Sequence, residues 1–97
     1  MREQIAQAIQ AALQGSRKVR IIFKRGATSD VKHLIAMARA GILSLGKDLM
    51  NLEAVAVSGE WESGRNRTTV VTLTDTFDQE WFVGRMERAL EKIKVVS

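Results

Sequence analysis

Five cations fall within nine positions of this chain: Arg17, Lys18, Arg20, Lys24 and Arg25. With Lys32 added and Asp30 subtracted, the stretch 17–32 holds six positive charges against one negative, a net of +5. The whole chain carries +4, so the remainder sums to −1 and the basic character is local. Clustered Lys and Arg can neutralise phosphates, a mode of binding that ignores sequence and weakens with salt. Arg65 and Arg67, on either side of Asn66, add a small basic finger further along. Arg17, Lys18, Arg20, Lys24, Arg25, Arg65 and Arg67 are thus the candidate nucleic-acid contacts. The competing account is structural, since Lys and Arg also guard strand edges against aggregation.

A second constellation suits a protein partner. Trp81 shares one side of a helical pattern with Arg85 and Arg88. Such an arrangement allows a cation–π contact, and a surface Trp ringed by Arg resembles a binding hot spot. Ile22, an apolar residue among the cations, joins Trp81, Arg85 and Arg88 as a candidate interface residue. The bland alternative for Trp81 is a ring capping the edge of the core. Trp61 is expected to pack across a hairpin.

Chemistry of the catalytic kind is poorly represented. Cys is absent, which removes thiolate nucleophiles, zinc–cysteine sites and iron–sulfur clusters. His33 is the single histidine, with no partner at metal-ligand spacing and no triad within reach of the pattern. Glu60 and Glu62 flank Trp61, while Asp75 and Asp78 precede a helix, where carboxylates favour the dipole. KRGATSD has one glycine and lacks the Gly-Lys-Ser/Thr ending of a phosphate loop. A non-enzymatic protein without cofactor or metal is the expectation.

These residues need elements to hold them. Ile5, Ile9, Ala12 and Leu13 predict a helix over 2–14, stopped by Gly15 in the left-handed region. Val19, Ile21 and Phe23 alternate with Arg20, Ile22 and Lys24, the period of a half-buried strand. Ser29 or Asp30 caps a second helix whose stripe Val31, Leu34, Ile35, Ala38, Ile42 and Leu45 runs to Gly46. LEAVAVSGEW alternates as a strand and, turning near Ser63-Gly64, forms a hairpin with RTTVVTLTD. Thr76 and Gln79 form a capping box for a helix bearing Phe82, Met86, Leu90 and Ile93, before a short last strand.

After the first helix the order is β-α-β-β-α-β, so the expected fold is α+β. It is the ferredoxin-like split βαβ arrangement, a four-stranded antiparallel sheet with two helices on one face. A single domain covers 1–97, with 1–15 an accessory helix and 17–97 the ferredoxin-like core. The order resembles, in topology alone, that of ferredoxin-like regulatory domains such as the ACT family, which often pair through their sheets. The turn RGATSD departs from that family's ligand loop, and no family is assigned. The open sheet face would show Arg20, Ile22, Lys24, Ala54, Ala56, Ser58, Val70, Thr72 and Thr74. None is aromatic, so the base-stacking platform of RNA-recognition motifs is missing.

Three functions are open on these grounds. The first is an interaction module that binds a protein partner, or a second copy of itself, through the open sheet face and the N-terminal helix. The second is a nucleic-acid binder using the basic 17–32 region and the Arg65/Arg67 tip. The third is a designed scaffold, suggested by the joint absence of Pro, Tyr and Cys. No apolar run approaches the ~20 residues that span a bilayer, and no secretory signal is present. A cytoplasmic protein that does not engage membranes is expected.

Overall fold

The computed structural model describes residues 1–58 and 67–97. Its elements are α1 (Arg2–Leu13), β1 (Lys18–Phe23), α2 (Thr28–Arg39), β2 (Leu43–Ser44), α3 (Asp48–Ser58), β3 (Thr68–Leu73), α4 (Gln79–Met86) and β4 (Leu90–Val96). Among the described residues the fold is α+β: four helices and a four-stranded antiparallel sheet in the order β2-β3-β1-β4. β1 lies between β3 and β4, so the basic strand is central and both of its edges are paired.

One face of the sheet is buried. Val19, Ile21 and Phe23 from β1 join Val71 and Leu73 from β3, Leu43 from β2 and Leu90 from β4 in a continuous core. Helices supply the rest: Ile5 and Ile9, Val31 and Leu34, Leu52 and Val55, Phe82 and Met86. α1 therefore docks on the helical side, against β4, α4 and β1, and does not cover the open face. Its buried stripe is Ile5, Ala8, Ile9 and Ala12, spaced for one helical face, while Leu13 faces outward.

Three sequence expectations are corrected by the backbone. α2 ends at Arg39 because Gly41 takes φ +77°, with Gly41 N–H donating to the Ala38 carbonyl and Ile42 N–H to Met37. That bond pair closes the helix as a Schellman motif and frees Leu43 for β2. Residues 54–58, expected in a strand, belong to α3 instead. Leu49, Leu52, Val55 and Ala56 repeat at helical spacing and turn toward the core, leaving Val57 at the surface. Ala54, Ala56 and Ser58 are thus not part of the sheet. The last helix stops at Met86 and Leu90 starts β4, because Leu90 pairs with Phe23 across the sheet.

Capping also differs. No side chain caps α2, whose N-cap is Ala27. α4 is capped by Asp78, whose Oδ1 accepts from the Trp81 N–H at 3.0 Å. The Thr76 hydroxyl is engaged elsewhere, donating to the Gly41 carbonyl at 2.7 Å. Thr74 donates to the carbonyls of Gly41 and Ile42, so two threonines pin the α2–β2 turn to the end of β3. A Cβ at position 41 meets nothing within 4 Å. Gly41→Ala should therefore cost only the left-handed backbone penalty, about 1 kcal/mol. Thermal melting checks this; an unchanged midpoint would mean the turn can relax out of that conformation.

Candidate nucleic-acid interface

Strand pairing decides which side chains share the open face. Lys18 pairs with Thr72 on one side and Val96 on the other. Arg20 pairs with Val70 and Lys94, and Ile22 with Thr68 and Lys92. Paired residues point to the same side, and this side is opposite to Val19, Ile21 and Phe23. The open face thus gathers Lys18, Arg20, Lys92 and Lys94, all exposed, with Ile22, Val70, Thr72 and Val96 half-buried between them. No carboxylate lies at these register positions. Removing the four cations leaves eleven Lys and Arg against eleven Asp and Glu, so this face alone accounts for the net +4.

Spacing follows from sheet geometry. Neighbouring strands are about 5 Å apart and alternate residues about 7 Å apart along a strand. Arg20 and Lys94 are direct cross-strand neighbours, an arrangement of like charges that costs stability. Edge protection explains Lys92 and Lys94 on the outer strand β4. It does not explain Lys18 and Arg20, because β1 has no free edge.

The residues expected from sequence divide. Lys18, Arg20 and Ile22 stand together on the open face. Lys24 follows β1, exposed, its N–H bonded to the Ala89 carbonyl at 2.7 Å. Arg25 is exposed in the turn before Gly26. Lys32 lies on the helical side instead, lining a groove of about 660 Å³ with Ile35, Ala36 and Ala56.

Arg17 is a clamp. It holds φ +62°, a left-handed conformation that burdens a non-glycine residue. Four contacts fix it there. Its N–H donates to the Ala12 carbonyl at 2.8 Å, and its carbonyl accepts from the Leu73 N–H at 2.7 Å. Its Nε donates to the Leu73 carbonyl at 2.9 Å, and its guanidinium lies 3.1 Å from Asp75. Gly15, expected in the left-handed region, is not there; Arg17 makes the turn.

Arg67 performs the equivalent task at the other end of the sheet. Its Nη1 donates to the Phe23 carbonyl at 3.1 Å and to Glu91 at 3.0 Å. Glu91 is the extra residue of a bulge, since Ile22 pairs with Lys92 and Phe23 with Leu90. With its side chain only 22% exposed, Arg67 is turned inward to the sheet end. Arg65, and with it Glu60, Trp61, Glu62 and Asn66, lies outside the described residues.

Trp81, Arg85 and Arg88 are exposed on or just after α4, in the helical layer, so they do not meet Ile22. Trp81 is 37% exposed and makes no cation–π contact among the described residues. His33 is half-buried on α2. Among the described residues no three of His, Cys, Asp and Glu converge as metal ligands. Nor is any helix there long and apolar enough to cross a membrane.

No protein-family model, curated protein or solved structure matches this chain.

Sequence reasoning missed Lys92 and Lys94. The signal was present: Lys92, Ile93, Lys94 and Val95 alternate as a strand does. Placing the last strand beside β1 would have put both lysines next to Arg20.

Proposed function

We propose that this protein binds nucleic acid through the open face of its sheet, holding the phosphate backbone without selecting sequence. The observation that carries this reading is the register that sets Lys18 and Arg20 beside Lys92 and Lys94, all exposed, on a face that no described helix covers. Like charges placed opposite each other weaken a sheet, and a bound polyanion offsets that cost. The face has no aromatic anchor among the described residues, so it lacks what a protein hot spot normally uses. Face-to-face self-association would oppose the same four cations across a two-fold axis. Both points weigh against the protein-partner reading for this face.

We read the supporting architecture as ferredoxin-like. The central placement of β1 and β3 and the antiparallel pairing throughout support this. The added α1 and the inserted α3 are its departures. The consequence for function is that the described helices crowd one side and none of them covers the other.

Counterion release sets the test. Four phosphate contacts predict a slope of log K against log salt between about −2.8 and −3.6. Affinity should then fall roughly 50- to 150-fold between 50 and 200 mM salt. Lys92→Gln with Lys94→Gln should reduce the slope by about 1.5, read by anisotropy of a labelled oligonucleotide. A slope that does not change with this double substitution removes β4 from the interface; no binding at low salt sinks the proposal.

A further inference from the structure

The open face is divided lengthwise by charge. Lys18, Arg20, Lys92 and Lys94 stand on β1 and β4. β3 and β2 present Thr68, Val70, Thr72 and Ser44, none of them charged. With strands about 5 Å apart, a track of cations lies immediately beside a neutral strip of similar width. The strip is made of methyl and hydroxyl groups.

A single strand of nucleic acid has the same two-sidedness: anionic phosphates along one edge and uncharged bases along the other. A duplex lacks it. Its bases are stacked inside, and phosphates border both sides of a major groove about 12 Å wide. A second phosphate row laid across this sheet would find only Thr, Val and Ser on β3 and β2.

We propose that the ligand of this face is single-stranded nucleic acid, with its phosphates over β1 and β4 and its bases over β3. The inference rests on the phosphate-binding reading above and adds strandedness and orientation to it. Among the described residues the strip holds no aromatic side chain. Bases lying there rest on methyl and hydroxyl groups and gain no ring stacking.

That gap supplies the experiment. Val70→Tyr places an aromatic ring on β3 beside Arg20, where the bases are assigned. Stacking on an aromatic side chain should raise affinity for a single-stranded 20-mer by at least about fivefold. Affinity for the blunt duplex of the same sequence should stay within twofold of the parent, since its bases are not exposed. Both are measured by anisotropy at low salt, on protein whose circular dichroism matches the parent. Should Val70→Tyr fold poorly, Thr72→Phe, one step along the same strip, carries the measurement. A gain confined to the single strand supports the assignment. No gain, or an equal gain for the duplex, overturns it while leaving phosphate binding in place. Failure of the parent to bind either form overturns both readings, as does binding to phosphatidylserine vesicles alone.

Discussion

Arg20→Glu is expected to have two opposite effects: a slightly more stable protein that binds nucleic acid roughly tenfold or more weakly. Arg20 lies directly across from Lys94, with Lys18 two residues away on the same side. Replacing one cation by a carboxylate turns a repulsive cross-strand pair into an attractive one, worth about 0.2–1 kcal/mol. For a domain of this size that is a gain of a few degrees in melting midpoint. The same change removes one phosphate contact and adds a repelling charge beside the others, so the two measurements move apart. Adding Lys94→Glu restores a like-charge pair, now negative. The double variant should lose the stability gain and bind no oligonucleotide at low salt. Unaltered binding by the double variant would exclude the open face as the interface. A large drop in melting midpoint for Arg20→Glu would mean that this guanidinium holds the sheet together, as that of Arg17 does.

The largest stability effect is expected at Phe82. Its side chain is fully buried on α4, with its ring centroid 5.5 Å from that of Phe77 and a 56° tilt between them. Phe82→Ala removes most of a ring from a core shared by α1, α2, α4 and the sheet. The cost is about 3–5 kcal/mol, transfer plus the cavity left behind. Against a total of about 5–15 kcal/mol, that is enough to lower the melting midpoint by roughly 15–30 °C. Circular dichroism on heating measures it. A loss of only a few degrees would contradict the placement of α4.

Local pattern was legible where one periodicity had no competitor. β1 alternates cleanly, and Val19, Ile21 and Phe23 are buried while Arg20 is exposed. β3 follows its pattern equally well, and α1 does so except at Leu13, which faces outward. Legibility failed where two periods fit the same residues. Val55 and Val57 alternate with alanines, yet Leu52, Val55 and Ala56 also fit a helix, and helix is what packs. Phe82, Met86 and Leu90 continue a helical stripe, yet Leu90 pairs with Phe23 in the sheet. The stripe of α2 could run past Gly41 in sequence. Whether that glycine interrupts or merely weakens the helix depends on Thr74 and Thr76, which fasten its carbonyl from a distant part of the chain.

The candidate site divides along the same line. Composition and spacing alone identified a basic strand with Arg20 and Ile22 on its polar side; that Lys18 joins them, and that Lys24 lies beyond the strand, came from the register. Side-chain alternation is a property of consecutive residues, so it needs no knowledge of the fold. Sequence could not tell that Arg17 and Arg67 are bound to carbonyls at the two sheet ends. Those partners, Leu73 and Phe23, are reached only once the strands are paired. Nor could the cations of β4 be joined to those of β1 by any local rule. Arg20 and Lys94 stand at opposite ends of the chain, and they become neighbours because backbone hydrogen bonds between β1 and β4 fix the register. The charge was written in the sequence; its concentration on one face was decided by strand order and by the described helices, which bury against the other.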